Sequence, residues 1–200
     1  MIIAIIRLHS QPVPTELVRA IAAGGIGMVE VTLTTPRALE TIAQFADDPE
    51  ITIGAGTVRD GAGARAAAAA GAKFFVTPTI DADVLDIALD AGIDVYCGAM
   101  TPTEIETAYR HPAVQGVKVF PVGALGGPQY IKAIREPLND IPLIPTGGVD
   151  AVNAVAYRRL GCAGIGVGGS LVSDNLVNSC GWAEITARAT DIVTSWEREK

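Results

Sequence analysis

Eight short apolar runs recur along this chain of 200 residues, and their even spacing limits the possible folds more than any other feature. Successive runs begin 26, 23, 22, 20, 23, 25 and 22 residues apart, which leaves room for one helix and two short loops in each interval. The runs begin near Ile2, Met28, Ile51, Lys73, Ile93, Gly116, Ile141 and Ala163. Because they are short and almost continuously apolar, they indicate parallel strands that are covered on both faces.

The segments between the runs carry the residues with which helices begin and end. Start signals stand at Pro14-Thr15-Glu16, Thr35-Pro36, Arg59-Asp60, Asp81, Thr101-Pro102 with Glu104, Pro128 and Asp150. Glycines that suit helix C-termini precede several runs, at Gly24-Gly25, Gly71, Gly92 and Gly161. Eight alternations of strand and helix predict a small (β/α)8 TIM barrel, which forms a single domain over residues 1–200 and closes with a helix over 182–200.

Charge and composition exclude several classes of protein. The formal net charge is −7 and no stripe of Lys or Arg occurs, which argues against nucleic-acid binding. No apolar stretch approaches the roughly 18 residues that span a bilayer, and the start of the chain lacks a basic leader, so we expect no membrane association or secretion. The three thiols, Cys97, Cys162 and Cys180, form no CxxC pair and favour a reduced, cytoplasmic protein. His9 and His111 lack neighbours at ligand spacing, so no metal site is expected.

Lys118 is the residue that most strongly indicates chemistry. It stands in the apolar run from Gly116 to Pro121, which is predicted to be a buried strand. Removing an ammonium from water disfavours its charged form and lowers its pKa, and a neutral amine is the form that attacks a carbonyl to give a Schiff base. A structural ion pair with a buried carboxylate is the alternative explanation for a lysine at this position.

Residues at the carboxyl ends of the strands are the other candidates, because the active sites of these barrels lie at that end. Arg7 follows the first run, Thr57 follows the third, and Glu30 interrupts the second apolar run as Lys118 interrupts the sixth. The second and sixth strands of an eight-stranded ring lie opposite each other, so both side chains are expected to point into one interior. An amine and a carboxylate in one cavity provide a nucleophile and a group that moves protons.

Two glycine-rich stretches predict a phosphate site. Gly147 and Gly148 follow the seventh run, and Gly168, Gly169 and Ser170 follow the eighth. In barrels of this type, backbone N–H groups after these two strands, together with the start of the next helix, commonly hold a phosphate. Tight turns between strand and helix also require glycine, which is the alternative explanation for both stretches.

Eight stretches share their pattern with one known family. They are Val29-Glu30-Val31-Thr32, Gly54-Ala55-Gly56-Thr57-Val58, Val76-Thr77-Pro78, Met100-Thr101-Pro102-Thr103-Glu104, Val117-Lys118-Val119-Phe120-Pro121, Gly127-Pro128-Gln129-Tyr130, Pro145-Thr146-Gly147-Gly148 and Val167-Gly168-Gly169-Ser170. Over nearly its whole length the chain resembles the 2-keto-3-deoxy-6-phosphogluconate (KDPG) and 4-hydroxy-2-oxoglutarate aldolase family. The resemblance implies a class I aldolase, a homotrimer of (β/α)8 barrels that works through a Schiff base and needs no metal or organic cofactor.

The resemblance also implies a role for each candidate residue. Lys118 would form the Schiff base, and Glu30 would move protons. Arg7 and Thr57 would hold the carboxylate of the keto acid. The backbone of the two glycine-rich stretches, Gly147 and Gly148 with Gly168 and Gly169, would bind the phosphate together with Ser170.

The implied reaction is reversible cleavage of KDPG, a phosphorylated keto-sugar acid of carbohydrate metabolism, to pyruvate and glyceraldehyde 3-phosphate. The same imine chemistry would allow cleavage of 4-hydroxy-2-oxoglutarate. A 2-keto-3-deoxy-6-phosphogalactonate aldolase is an alternative, because the residues do not reveal the preferred stereochemistry at C4. A sugar-phosphate isomerase or epimerase on the same barrel, and a binding protein without catalysis, are further alternatives that need no reactive lysine.

The sequence departs from the family pattern in three places. Some members carry an arginine after the second strand, where this chain has Thr34, and others carry it after the first strand, as at Arg7. Many members have an acidic residue two places after the proline of the lysine strand, where this chain has Gly123. The family usually has a helix before the first strand, whereas this sequence starts directly on a strand, so we expect a less covered barrel bottom.

Overall fold

The computed structural model describes residues 1–198 and contains eight parallel strands in one sheet. They are β1 Ile2–Ile6, β2 Met28–Thr32, β3 Thr52–Gly56, β4 Phe74–Val76, β5 Asp94–Ala99, β6 Val114–Val119, β7 Leu143–Pro145 and β8 Ile165–Val167. The hydrogen-bonded order is β7-β6-β5-β4-β3-β2-β1-β8, and a bridge between Thr146 and Gly166 connects the two outer strands. The (β/α)8 barrel is confirmed, and every strand begins within two residues of its predicted position.

The helices alternate with these strands along the chain. They are α1 Thr15–Ala23, α2 Ala38–Phe45, α3 Gly61–Ala69, α4 Ala82–Ala91, α5 Pro102–Tyr109, α6 Pro128–Arg135, α7 Ala154–Arg159, α8 Asp174–Asn178 and α9 Trp182–Glu197. The closing helix is α9, and positions 199 and 200 of its predicted range lie outside the described residues. No helix in the described part of the chain is both long enough and apolar enough to cross a membrane.

Side-chain caps start several helices where the sequence predicts them. Asp60 and Asp81 each accept a backbone N–H from the first turn of the helix that follows, α3 and α4. Thr101 and Glu104 form a reciprocal capping box at the start of α5, which satisfies backbone donors that the helix leaves unpaired.

Helix α7 starts four residues later than the predicted signal at Asp150. The Asp150 carboxylate accepts the N–H groups of Val152 and Asn153, at 2.9 and 3.0 Å, and so stabilises a turn instead of a helix. The first helical residue is Ala154. Aspartate serves turns as well as helix caps, so the sequence signal did not distinguish between them.

A small apolar cluster fills the barrel interior below the carboxyl ends of the strands. It consists of Ile3, Phe74, Val76, Tyr96 and Ile144. The rings of Phe74 and Tyr96 meet edge to face, with centroids 5.7 Å apart. Because this cluster closes the interior, polar side chains that point inward must collect nearer the carboxyl ends.

Two ionisable side chains, Glu30 and Lys118, lie in that upper part of the interior. On β2, Glu30 follows Met28 by two residues and pairs with Ile5 of β1. On β6, Lys118 pairs with Gly98, two residues beyond Tyr96 of the apolar cluster. Successive side chains of a strand alternate between faces, so both residues share the inner face.

The opposite end of the barrel is open beside the first strands. A cavity of ≈ 510 Å³ lies at the amino ends of β1, β2 and β3, and its lining includes Met1, Met28 and Thr52 together with Trp196 of α9. Strand β1 is the first element of the described chain.

Candidate active site

A cavity of ≈ 600 Å³ opens at the carboxyl ends of the strands. It brings together most of the predicted site residues, namely Arg7, Lys118, Gly147, Gly148, Gly168, Gly169 and Ser170. Glu30 and Thr57 do not line this cavity, but each is close to a residue that does. The sequence therefore predicted a set of residues that the fold places in one region.

Lys118 reaches the cavity from the inner face of β6. It is 5% exposed, and its Nζ lies 5.3 Å from the ring centroid of Phe120, which also lines the cavity. The aromatic face interacts favourably with an ammonium and shields the amine from bulk water. A small carbonyl compound in the cavity would meet this amine directly.

Glu30 is completely buried and neither of its carboxylate oxygens has a hydrogen-bond partner among the described residues. Gly56 of β3 makes room for it, because a Cβ at that position would overlap the carboxylate. Burying a polar group without a partner costs free energy of folding, so the carboxylate is not there to stabilise the barrel. The structural ion pair that offered an alternative explanation for Lys118 is absent from the described contacts.

The environment of Glu30 changes its acidity. Burial raises the pKa of the Glu30 carboxyl above its usual value, and the positive charges of Lys118 and Arg7 offset part of the rise. A carboxyl with a raised pKa exchanges its proton more readily near neutral pH, as a general acid or base must. Strongly perturbed groups of this kind concentrate at functional sites.

Arg7 follows β1 directly, and its guanidinium donates a hydrogen bond of 3.2 Å to the hydroxyl of Thr57. Thr57 has a φ of 56°, in the left-handed region that β-branched residues rarely adopt. Beside Arg7, the N–H of Leu8 donates to the hydroxyl of Thr35 over 3.2 Å, which fixes the backbone after β1. The cavity therefore contains the guanidinium of Arg7, with its paired N–H donors, in a defined position.

Two of the departures from the family pattern have local explanations. The hydroxyl of Thr34 lies 3.1 Å from that of Thr32 and outside the cavity, whereas the guanidinium of Arg7 lines it. Gly123 donates its N–H to the carbonyl of Gly147 over 2.9 Å, and a Cβ at Gly123 would come within 3.0 Å of that oxygen. Any side chain at this position would displace the turn after β7.

Gly147 and Gly148 have φ values of 88° and 83°, which glycine adopts without strain. Turn geometry alone therefore accounts for glycine at these two positions. Their N–H groups donate to no described group although both residues line the cavity, so they are free to bind an anion there.

Gly168 and Gly169 do not have positive φ values, so the backbone does not require glycine there. A Cβ on Gly169 would meet no atom within 4 Å, and one on Gly168 would make only ordinary contact with Ile5, 3.7 Å away. Neither backbone strain nor packing explains these glycines. Open space against a bare backbone is what a closely bound ligand needs.

The end of β8 differs in two ways from the prediction. The helix that follows it is the short α8, which Ser173 caps, and the closing helix α9 comes only after that. The hydroxyl of Ser170 donates to the carbonyl of Val149 over 2.7 Å, so this side chain offers a ligand no free hydroxyl hydrogen. The backbone N–H of Ser170 has no described acceptor and remains available.

The sequence reasoning missed several residues that line the cavity. His9 and Asp174 lie there in contact with each other. Phe120 and Thr146, which belong to the predicted strand ends, also line the cavity, each two residues beyond the paired Lys118 and Ile144. A histidine two residues after a strand-end arginine carries no recognisable pattern, so only the fold reveals its position. No cluster of three or more His, Cys, Asp or Glu side chains that could hold a metal ion occurs in the described chain.

A buried lysine and a buried carboxylate without a described partner, at the carboxyl end of a (β/α)8 barrel and near a guanidinium, are groups that suit a class I aldolase. The chain belongs to the KDPG and KHG (4-hydroxy-2-oxoglutarate) aldolase family, whose model matches residues 1–188. The protein is thus a lyase, which decides against an isomerase and against a binding protein without catalysis.

Curated relatives include aldolases for both C4 epimers. The 2-dehydro-3-deoxy-phosphogluconate aldolase of Pseudomonas aeruginosa is 38% identical over 168 residues, which cover 83% of this chain and 76% of that protein. The 2-dehydro-3-deoxy-6-phosphogalactonate aldolase of Escherichia coli is 36% identical over 173 residues, which cover 85% of this chain and 83% of that protein.

Solved structures of related chains superpose closely. A native KDPGal structure matches with a TM-score of 0.88 at 33% identity, covering 98% of this chain and 94% of the other. KDPG aldolase from Legionella pneumophila, with pyruvate captured as a covalent carbinolamine, matches with 0.84 at 28% identity, covering 96% and 93%. A cage designed by fusing symmetric oligomeric domains matches with 0.88 at 33% identity, covering 98% and 72%.

Proposed function

We propose that the enzyme cleaves KDPG to pyruvate and glyceraldehyde 3-phosphate through an imine on Lys118. The observation that carries this assignment is Glu30, a fully buried carboxylate to which no described residue donates a hydrogen bond, on the same inner face as a buried lysine. A fold gains nothing from such a carboxylate, whereas proton transfer during aldol cleavage requires one.

The chemical steps follow from these two groups. The neutral amine of Lys118 adds to the C2 carbonyl, and loss of water gives an iminium. Glu30, directly or through a water molecule, takes the proton of the C4 hydroxyl while the C3–C4 bond breaks and its electrons flow into the iminium. The aldehyde leaves, Glu30 returns a proton to C3 of the enamine, and water releases pyruvate and the free amine.

The two ends of the substrate carry negative charges that suit the two sides of the cavity. We assign the keto-acid carboxylate to Arg7 and Thr57, because a guanidinium binds a carboxylate through two parallel N–H donors. We assign the phosphate to the free N–H groups of Gly147, Gly148, Gly169 and Ser170, beside the bare backbone of Gly168.

Reduction with borohydride tests the core of this proposal in the unmodified protein. Incubation with pyruvate and borohydride should add the mass of one reduced pyruvate to the peptide that contains Lys118, and the enzyme should release pyruvate from KDPG. Labelling of Lys73 or Lys132 instead would show that the imine forms elsewhere. Labelling of Lys118 without cleavage of KDPG would keep the imine assignment and exclude this substrate.

Two other substrates deserve a direct comparison with KDPG. The relative from Escherichia coli that is named for phosphogalactonate matches almost as well as the phosphogluconate relatives, so the C4 epimer is the second candidate. The imine requires only the keto-acid end, so 4-hydroxy-2-oxoglutarate is the third. Ratios of kcat/KM for the three compounds rank them, and KDPG should have the highest value.

We also infer that the enzyme is a cytoplasmic homotrimer. A related chain served as a symmetric oligomeric domain in the designed cage, which supports self-association. Three free thiols, two of them buried, suit a reducing compartment. Light scattering should give three times the 20.7 kDa mass of the single chain, and a monomer or dimer at working concentrations would contradict the trimer.

A further inference from the structure

In the proposed function Arg7 binds the keto-acid carboxylate and Lys118 forms the imine, so neither cation is available to the phosphate. Among the described residues, the only other side chain lining the cavity that can carry a positive charge is His9. Two carboxylates, Asp150 and Asp174, line the same cavity. A phosphate held by amide groups alone would bind in a field made less favourable by these charges.

His9 lies in the loop after β1 and is fixed against α8. Its ring Nδ1 lies 2.9 Å from Oδ2 of Asp174, and its backbone N–H donates to Oδ1 of the same carboxylate over 3.3 Å. An ionised carboxylate can only accept a hydrogen bond, so Nδ1 of His9 carries the hydrogen of this contact, and the hydrogen bond lowers the pKa of Asp174. Ring atom Nε2 then has no partner among the described residues.

The position of His9 brings it to the phosphate side. Strands β1 and β8 are neighbours, with Ala4 paired to Val167, so the segments that follow them run side by side. His9 and Asp174 line the cavity together with Gly168 and Gly169. The His9 side chain is 75% exposed, so its outer edge is open to a ligand that enters the cavity.

We propose that His9, oriented by Asp174, is a substrate-binding residue that donates a hydrogen bond from Nε2 to the phosphoryl group. An imidazolium has a donor on each ring nitrogen, so one nitrogen can hold Asp174 while the other contacts a phosphoryl oxygen. The assignment rests on the proposed function, because it needs a substrate that carries a phosphate. It makes His9 a determinant of preference for phosphorylated over unphosphorylated keto acids.

A second contact between the same two segments provides a matched control. The amide of Gln11 donates to the Asn178 side chain over 2.7 Å, and so also fixes the loop after β1 against α8. Gln11 does not line the cavity. A change at Gln11 therefore reports what loosening the loop does, without removing a group that faces the substrate.

The experiment compares His9→Ala, His9→Gln and Gln11→Ala with the parent enzyme. For His9→Ala, KM for KDPG and the inhibition constant of inorganic phosphate should both rise by about tenfold, the scale for losing one hydrogen bond to a charged group, while kcat stays within about twofold. KM for 4-hydroxy-2-oxoglutarate and the pyruvate dependence of borohydride trapping should not change. His9→Gln, which keeps an N–H donor, should recover part of the loss, and Gln11→Ala should resemble the parent.

Several outcomes would overturn the role of His9. If His9→Ala and Gln11→Ala have equal effects, His9 only holds the loop after β1 against α8. If His9→Ala weakens binding of phosphorylated and unphosphorylated substrates equally, His9 only stabilises the fold. An unchanged phosphate inhibition constant would exclude contact with the phosphoryl group. Failure of the proposed function is distinguishable, because it would appear in the parent enzyme as absence of KDPG cleavage or of phosphate inhibition.

Discussion

The guanidinium of Arg7 and the hydroxyl of Thr57 are joined by a hydrogen bond of 3.2 Å that connects the ends of β1 and β3. Strand β2 lies between these two strands, and Glu30 on it is influenced by the charge of Arg7. Arg7 is therefore held by a neutral partner and forms no ion pair among the described residues, so its N–H donors remain available to a substrate carboxylate. The backbone of Thr57 is left-handed, which strains a β-branched residue, and strain of this kind concentrates at functional sites.

Replacing Arg7 should weaken binding of the keto-acid carboxylate. For Arg7→Met we expect the pyruvate concentration needed for half-maximal borohydride trapping to rise by about tenfold or more, which corresponds to at least about 1.4 kcal/mol. Arg65→Met removes one positive charge from α3, away from the cavity, and should leave this concentration unchanged. An unchanged value for Arg7→Met would show that another group holds the carboxylate.

The same substitution should move the pH dependence of turnover. Arg7 lowers the pKa of Glu30, so its removal leaves that pKa higher than in the parent. Because Glu30 must be ionised to accept the C4 hydroxyl proton, the acidic limb of the kcat profile should move to higher pH in Arg7→Met. A limb at the same pH in both proteins would mean that a different group controls it.

Replacing Lys118 should abolish the chemistry. Lys118→Arg keeps the positive charge beside Phe120 but cannot lose its proton at usable pH, so both borohydride trapping and KDPG cleavage should fall below detection. Lys132→Arg, on α6, is the matched control and should trap and cleave as the parent does. Measurable cleavage by Lys118→Arg would show that the reaction does not proceed through an imine on this residue.

Replacing Glu30 should change activity and stability in opposite directions. Glu30→Gln removes the proton-transfer group, so kcat should fall by about a hundredfold or more, while trapping of pyruvate survives better than cleavage. The same change removes a buried, unpartnered charge, so the thermal midpoint at pH 8 should rise; each kcal/mol corresponds to about 2–4 °C in a chain of this size. A large fall in the midpoint would identify Glu30 as a structural residue.

The stability effect should depend on pH in a defined direction. Burial raises the pKa of Glu30 in the folded protein, so the folded state favours the protonated carboxyl. Protonation of Glu30 contributes fully to the free energy of unfolding at pH values below the pKa that Glu30 has in the unfolded chain. This contribution is lost as pH rises through its pKa in the folded protein. The difference between Glu30→Gln and the parent should therefore be small near pH 4 and increase with pH. Thermal midpoints of both proteins, measured from pH 4 to pH 8, give this difference.

The sequence predicted the barrel well, because strand periodicity and caps are local properties. Glu30 and Lys118 were also recognisable, since an ionisable group in a continuous apolar run stands out without knowledge of the fold. The contact between His9 and Asp174 was not predictable, because 165 residues separate them and neither interrupts a pattern. The turn at Asp150 was mistaken for a helix start because one side chain serves both structures.

The reason for glycine at the end of β8 could be decided only from the structure. From sequence alone, turn chemistry was the alternative explanation of both glycine pairs, and phosphate binding was the predicted one. The positive φ values of Gly147 and Gly148 fit the first explanation, whereas Gly169 has neither a positive φ nor a neighbour that a Cβ would strike. A ligand is the remaining reason for a bare backbone at Gly169, and this position gives the sharpest test of the phosphate site.

A charge placed at Gly169 should separate the two ends of the substrate. The Cβ of Gly169→Asp enters open space, so the barrel should fold, but the carboxylate would face the phosphate and should raise KM for KDPG by about tenfold or more. Gly169→Asn has the same size without the charge and should have a smaller effect. Pyruvate trapping at Lys118 should persist in both variants, because pyruvate carries no phosphate. If Gly169→Asp and Gly169→Asn weaken KDPG binding equally, space alone matters at this position; if neither weakens it, the phosphate lies elsewhere and these glycines serve only the turn.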